Sequence, residues 1–310
     1  MKSYLYKLTL PFFVTALIFA GCKKEYETIE EIDSQEISAY LASNNLTGFS
    51  DTLGIYWKVT KPGTGSAIDY TKETPVLFTV RSLDGSFVAA DTFAVYNRFA
   101  GRFGYITLKG IRSADNFRDI IIKKLVKSNG EIRMIIPSQM AYGRDGYSFF
   151  EGYTNLKFPS NESLDVTVKV IDNLPAYEDA QIKKYISDNK LTGFDKDAKY
   201  PYYYKVIDAG TGSGIDVDST ITVTYTGRLL NGVAFETVTS DSPVTFVLDE
   251  LAKGWQYGLP RIKEGGSIRL IMPSSLAYGN AGSVNVYTGL TTIPAFSPLD
   301  FEIKVTDVAK

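Results

Sequence analysis

The sequence predicts an α+β protein built as two tandem copies of one plan, each an antiparallel sheet with a short helix. Three observations lead there. The phrase "RMIIPSQMAYG", Arg133 to Gly143, returns as "RLIMPSSLAYG", Arg269 to Gly279, with seven of eleven positions identical at a spacing of 136 residues. Apolar residues alternate in short stretches such as Ile221, Val223 and Tyr225, or Phe301, Ile303 and Val305, the period of half-buried strands. In the second copy a helical stretch around Leu251 to Ile262 interrupts these strands. At 310 residues, 44% hydrophobic and 22% charged, the chain has material for two domains of ordinary size.

At the N-terminus, Lys2 and Lys7 precede or enter an apolar run, "LTLPFFVTALIFAG", that ends at Cys22, the single cysteine. A basic start, a short apolar stretch and small residues before a cleavage point describe a secretory signal over residues 1–21. Pro11 and the shortness of the run disfavour a stable transmembrane helix. The segment "FAGC" resembles a bacterial lipoprotein lipobox, with Phe19 a loose fit at its first position. That resemblance implies cleavage before Cys22 and lipidation of its thiol. The protein is then extracytoplasmic and anchored to a bacterial membrane, the outer membrane being the expected one, on its periplasmic or surface face. Several acyl chains would hold it there, since one alone binds marginally. Ordinary secretion with a free cysteine is the alternative. An acylated Cys22 leaves no thiol for a disulfide.

The polar stretch "KKEYETIEEIDSQ" reads as a tether over residues 22–33. Asp33 is placed to cap a helix, with Glu36 bonding back and Ile32 and Ile37 as a staple. Ile37, Tyr40 and Leu41 form its apolar face, and Gly48 is its expected stop. A first domain then spans 34–173 and a second 174–310, the latter with a helical lead-in over 176–190 where Ile182, Tyr185 and Ile186 repeat the pattern. The boundary falls near "NLPAYED". Further echoes align the copies: "WKVTKPGTGS" with "YKVIDAGTGS", "FTVRSLDG" with "YTGRLLNG", and "FPSNESLDVTVKVID" with "IPAFSPLDFEIKVTD". A period of roughly 145 residues is too long for a solenoid unit.

Composition excludes several functions. There is no histidine, which removes Ser-His-Asp and Cys-His catalysis and His-ligated metal sites. A net charge of −2 without a long basic run argues against nucleic acid, and "KKLVK" at Lys123 to Lys127 reads as a solvated helix face. "GTGSG" from Gly210 has the wrong spacing for a phosphate loop and is followed by a strand-like run, so it is a turn. "YPYYYKV" from Tyr200 reads as an edge strand with Pro201 at its start, rather than as a sugar platform.

Four ordered blocks in the second copy form a continuous signature: "VTYTGRLLNGVAFE", "PVTFVLDELAKGWQYGL", "IKEGGSIRLIMPSSLAYGNAG" and "IPAFSPLDFEIKV". From about Thr220 to Val305 this resembles the FKBP-type peptidyl-prolyl cis-trans isomerases. The resemblance implies two tandem FKBP-like domains, each a bent antiparallel sheet of about five strands wrapped around a short helix and preceded by an N-terminal helix. It implies an apolar bowl for a proline ring, with Trp255 as floor, Tyr225, Phe235 and Phe301 as walls and Ile293 beside them. Leu251 and Ala252 would precede the helix, the Ala252 amide bonding a substrate carbonyl, and the Tyr278 hydroxyl would reach another. Glu236 stands where relatives carry aspartate, which leaves its role open, and Val244 stands where an aromatic residue is common. The loop from Tyr278 to Ile293 is longer than in compact relatives. The implied partners are proline-containing polypeptides and, by family resemblance, macrolide-type inhibitors, with no metal and no cofactor.

The first copy aligns as a degenerate version. Phe78 corresponds to Tyr225, Val80 to Gly227, Val166 to Phe301 and Phe158 to Ile293, while Tyr142 is kept. Val88 and Ala89 fall near Phe235 and Glu236, and counting back from the shared phrase sets Asp119 opposite Trp255. Activity is therefore expected in the second domain alone, in the service of folding exported or outer-membrane proteins. A non-catalytic chaperone or protein-binding lipoprotein is the alternative, and a sugar-binding lipoprotein using the tyrosines is a third.

Overall fold

A computed structural model describes residues 27–68, 75–86, 88–89, 96–98, 111–151, 154–287 and 291–309. The signal segment 1–21, Cys22 and most of the stretch from Gly85 to Lys109 lie outside the described residues. Among the described residues, no helix is long and apolar enough to cross a membrane.

Helix α1 spans Ile29–Ser43 and begins earlier than expected. Its cap is Thr28, not Asp33: Thr28 Oγ1 accepts from the Glu31 amide while Glu31 accepts from the Thr28 amide, a reciprocal capping box. Asp33 lies inside the helix and is buried, accepting from the Gln139 amide at 3.3 Å and from Ser163 Oγ at 3.4 Å. Ile32 is exposed and lies inside the helix rather than before its cap, and the helix ends at Asn44, four residues short of Gly48, once Asn45 takes a positive φ of 53°. A helix of the same length, α3 (Leu174–Asp188), starts where Asn173 accepts from the Ala176 amide at 2.9 Å and Pro175 occupies the first turn. The lead-in thus begins two residues before 176.

Between and after these helices run two sheets of identical strand order. The first holds β1 (Ser50–Thr52), β2 (Ile55–Lys61), β3 (Pro75–Ser82), β4 (Val88–Ala89), β5 (Tyr96–Arg98), β6 (Gly130–Ile136) and β9 (Leu164–Val170), ordered β1-β2-β6-β9-β3-β4 with β5 also on β3. A separate hairpin pairs β7 (Tyr147–Glu151) with β8 (Thr154–Phe158). The second sheet holds β10 (Asp195–Lys196), β11 (Tyr203–Asp208), β12 (Thr220–Leu229), β13 (Ala234–Val238), β14 (Val244–Val247), β15 (Ser267–Met272) and β18 (Leu299–Ala309), in the order β10-β11-β15-β18-β12-β13 with β14 also on β12. Its companion hairpin pairs β16 (Ser283–Val284) with β17 (Thr291–Ile293). All these pairings are antiparallel.

Each sheet therefore has seven strands rather than about five. The additions are short: β10 has two residues, and β13 and β14 share one edge of β12 end to end because the turn through Pro243 breaks them apart. Burial alternates strictly along β12, where Ile221, Val223, Tyr225, Gly227 and Leu229 face inward. The same alternation gives the second sheet two covered faces. Ile268, Leu270 and Met272 of β15 join Trp255 and Leu259, whereas Ile271 meets Ile182 and Tyr185 of α3. Helix α2 (Ala114–Ile120) and helix α4 (Lys253–Gly258) occupy corresponding places, α2 running into a π-helical turn at Ile121–Leu125 and α4 flanked by 3-10 turns at Leu248–Glu250 and Leu259–Arg261.

The register pairs the two copies as their sequences do. Phe301 lies opposite Gly227 and Leu270, and Val166 lies opposite Val80 and Met134.

Candidate active site

Helix α4 can lie close to the sheet because two of its residues have no side chain. A Cβ on Gly254 would stand 2.2 Å from Met272 Sδ, and one on Gly258 would stand 2.6 Å from Leu270 Cδ1. That approach presses Trp255, 4% exposed, against β12 and β18. Its ring meets Tyr225 edge-on at 5.1 Å and 89°, and Phe301 edge-on at 5.3 Å and 85°. Phe235 meets Phe301 edge-on in turn, at 5.6 Å and 84°, and Tyr225 lies 6.2 Å from Phe301. In the three edge-on pairs positive ring edges point at negative ring faces, the arrangement aromatic quadrupoles favour.

The expected rim residues gather around this group. Ile293 is buried in the same cluster, and Val244, Leu251 and Ala252 pack against it half-buried. Ala252 is the N-cap of α4, with φ −51° and ψ 140°. Glu236 is exposed on β13, opposite Gly227. Burial first, then a hydrogen bond to Glu236 and its negative charge, hold the Tyr225 hydroxyl well above its usual range. The Tyr278 hydroxyl is raised as well, by burial and then by the same carboxylate, although the residue as a whole is 41% exposed. Eight of the ten residues expected at the pocket belong to or pack against one hydrophobic cluster, and Glu236 and Tyr278 are coupled electrostatically to Tyr225.

Two residues of the site went unread in the sequence. Gly227 is the floor under two rings, since a Cβ there would stand 2.5 Å from Phe235 Cζ and 2.8 Å from Phe301 Cε1. A glycine inside a strand pattern is the signal that could have found it. Gln256, also buried, donates from Nε2 to the carbonyls of Asp249 and Leu251, both at 2.7 Å. It ties α4 to the chain segment that ends at Ala252.

A third link comes from outside the expected pocket. The buried Glu178 of α3 accepts from Ser274 Oγ at 2.5 Å and from the Ser274 amide at 3.2 Å, holding the turn that leads to Tyr278. Burial pushes its carboxyl up to about 7, against the lowering effect of those two bonds. Between the ordinary 4.5 and about 7 the folded chain keeps a proton that the unfolded chain has released. Stability therefore falls as pH rises through that window, by on the order of 2 kcal/mol. Urea midpoints of the full chain measured across this window should show the fall, and Glu178→Gln should flatten it.

The corresponding region of the first half holds different rings. Phe117 of α2 stacks on Phe78 at 5.9 Å, so the ring facing the counterpart of Tyr225 lies two residues before Asp119. Asp119 is instead a surface group paired with Lys123 at 2.6 Å. The π-helical turn after α2 adds a residue per turn, and a fixed offset cannot pass through it. Tyr142, unlike Tyr278, is buried, stacked between Tyr147 at 5.0 Å and Phe158 at 4.7 Å.

Residues 213–306, which contain every member of the aromatic group, match the family model of the FKBP-type peptidyl-prolyl cis-trans isomerases. This part of the chain belongs to the FKBP family. The chain is 30% identical to the FKBP-type peptidyl-prolyl cis-trans isomerase FkpA of Escherichia coli K12 over 162 residues, 48% of this chain and 57% of that protein. A probable FKBP-type isomerase of Haemophilus influenzae is 40% identical over 106 residues, 34% of this chain and 42% of that one. The chain thus spans about half the length of the curated relatives it matches. Among solved structures, the crystal structure of E. coli FkpA is 34% identical, covering 43% of this chain and 60% of that one at a TM-score of 0.37. A Pseudomonas syringae isomerase is 29% identical, covering 44% of this chain and 96% of that one at a TM-score of 0.36.

Proposed function

We propose that the protein is a peptidyl-prolyl cis-trans isomerase whose activity resides in a second domain, residues 174–310, with Trp255 as the floor of the proline site. The observation that carries this reading is the edge-to-face group of Trp255, Tyr225, Phe235 and Phe301 inside the family match. Tyr225, Phe235 and Phe301 form the walls with Ile293 beside them, Leu251 and Val244 line the rim, and the Ala252 amide and Tyr278 hydroxyl bond the carbonyls on either side of the proline. Glu236 orients the Tyr225 hydroxyl.

The chemistry asks for nothing the chain lacks. Rotation about a peptide bond breaks amide resonance, against a barrier of about 18–20 kcal/mol. No bond is cut, so neither nucleophile nor proton relay is needed. In the twisted transition state the amide loses charge separation, and an apolar pocket suits that species better than the planar, dipolar ground state. Preferring it by about 4 kcal/mol would speed rotation roughly a thousandfold.

A first domain, residues 34–173, shares the plan but has its bowl closed by Phe117 and by the Tyr147–Tyr142–Phe158 stack, and acts as a spacer or binding module. A lipidated Cys22 anchors the protein to the membrane, outside the cytoplasm, where its clients are exported or outer-membrane proteins. The full chain, shown to be folded, should accelerate cis-trans exchange of an Xaa-Pro tetrapeptide well above the solvent rate. Tyr278→Phe, which removes one hydroxyl from a partly exposed side chain and keeps its ring, should lower kcat/KM by about threefold to tenfold. A wild-type rate equal to solvent would replace the isomerase with a non-catalytic FKBP-like chaperone.

A further inference from the structure

We propose that Glu178, on helix α3 and outside the residues 213–306 that match the family, is a positioning residue of the reaction, fixing the turn from which Tyr278 reaches the substrate. This rests on the isomerase reading and extends the working site to the helix that precedes the second sheet. Ser274 joins the two. Its amide and its hydroxyl both go to the Glu178 carboxyl, at 3.2 Å and 2.5 Å. Its carbonyl accepts from the Ala277 amide at 2.9 Å and from the Gly279 amide at 2.8 Å. Those residues flank Tyr278, so both chain neighbours of the tyrosine hang from a residue that α3 holds. The turn is short and irregular: the 3-10 stretch Ser274–Leu276 gives way to Ala277 at φ −121° and ψ −114°, and Gly279 takes a φ of 58°. A turn of that kind takes its shape from its anchors. Glu178 and Ser274 are both 2% exposed, so water does not replace the contact once it is lost. Among the described residues Ser274 is the hydrogen-bonding partner of the Glu178 carboxyl, while the neighbouring Asp179 is engaged by Lys183, Lys196 and Tyr203.

The first half carries the same phrase without this link. Asp33 stands where Glu178 does, just as Tyr40 stands where Tyr185 does. One methylene shorter, Asp33 accepts from the Gln139 amide at 3.3 Å and from Ser163 Oγ at 3.4 Å, and it is Ser163 Oγ that accepts from the Ser138 amide at 3.1 Å. The hydroxyl of Ser138, the counterpart of Ser274, is buried without a hydrogen-bond partner among the described residues. In the second half Pro298 takes the place of Ser163 and has no hydroxyl to offer, and the longer Glu178 bonds the serine of the phrase directly. The direct link accompanies the partly exposed Tyr278; where it is missing, Tyr142 is buried and stacked between Tyr147 and Phe158.

Kinetics and one spectroscopic signal, both measured on the full chain, test this role. Glu178→Ala should lower kcat/KM toward an Xaa-Pro tetrapeptide about threefold to tenfold, the loss expected of Tyr278→Phe. In a Tyr278→Phe background it should lower the rate less than about twofold, because a residue that acts through the hydroxyl has nothing left to act on. Glu178→Gln, whose carbonyl and NH2 repeat both bonds to Ser274, should keep the wild-type rate. Tyr185→Phe, which loosens α3 without touching Ser274, should keep it too. With 13C in the tyrosine rings, the resonance that Tyr278→Phe deletes should move in Glu178→Ala and hold its wild-type position in Glu178→Gln and Tyr185→Phe. Should Glu178→Ala fail to fold, Ser274→Ala takes its place in every comparison. Additive losses in the double variant overturn the inference, and so does an equal loss in Tyr185→Phe, which would make any loosening of α3 the cause. A Tyr278 resonance that stays in place in folded Glu178→Ala overturns it as well. If wild type leaves the tetrapeptide at the solvent rate, the isomerase reading fails, and the resonance still decides whether Glu178 positions Tyr278.

Discussion

Gly227→Val is expected to lower isomerase activity about a hundredfold, a loss of about 2.7 kcal/mol of transition-state binding. Its added Cβ would stand within 3 Å of both the Phe235 and the Phe301 rings, and the valine methyls reach further. Phe301 is buried against Trp255 and Tyr225 and cannot step aside alone. The strain is relieved by tilting the rings that form the walls, at a stability cost of about 1–3 kcal/mol typical of overpacked cores. The chain contains its own control. In the first half the same cross-strand pair is Val80 and Val166, both buried, a combination that packs without a ring. Adding Phe301→Val to Gly227→Val should therefore recover much of the stability and none of the activity. Urea midpoints and tetrapeptide kcat/KM measured on both variants separate the two effects. Wild-type activity in Gly227→Val would show that the rings of Phe235 and Phe301 do not shape the site.

Gly227 is silent in the sequence where its neighbours are not. Tyr225, Trp255 and Phe301 were legible because each sits in an ordered block, and because the period-2 pattern of β12 and β18 fixes which face each side chain takes. A glycine contributes no side chain to such a pattern; its role appears only when two rings from β13 and β18 are seen lying on its backbone. Gln256 and Glu178 were hidden for a related reason. Both are polar residues whose partners are backbone groups of neighbouring segments, contacts that leave no periodicity.

Local competition explains the errors. Asp33 and Thr28 are both good caps, and the choice fell to Thr28 because Glu31 completes a capping box with it, while Asp33 finds partners across the fold in Gln139 and Ser163. Phe117 was missed because counting along the chain assumes regular helix, and the π-helical turn at Ile121–Leu125 breaks that count. The number of strands was underestimated because two- and three-residue edge strands carry too few residues to show alternation.

Asp300→Ala should be the most destabilising single change in the second half, by about 3–5 kcal/mol, because it strands a partly buried cation. Asp300 is fully buried in β18, accepting from Arg269 Nε at 2.9 Å, from Arg269 Nη2 at 2.5 Å and from the Tyr185 hydroxyl at 2.8 Å. The carboxylate raises the Arg269 guanidinium above its usual range, and burial followed by the same charge pushes the Tyr185 hydroxyl up to about 12. Without it, Arg269 keeps its charge and Tyr185 loses its tie to the sheet, so α3 is released on the face opposite Trp255. Tyr185→Phe, which leaves the Arg269–Asp300 pair intact, should cost only about 1 kcal/mol. The first half repeats the arrangement with Tyr40, Asp165 and Arg133, which permits a test inside one chain. There are two tryptophans, Trp57 in the first sheet and Trp255 in the second site. In a Trp57→Phe background, Trp255 fluorescence should report an earlier urea transition for Asp300→Ala and little change for Asp165→Ala. An apolar pair in place of both charges, Arg269→Met/Asp300→Leu, should recover much of the loss, because desolvating two ions offsets most of their attraction. Failure of that recovery would mean that the paired charges themselves, rather than the avoidance of a lone one, hold α3 against the sheet.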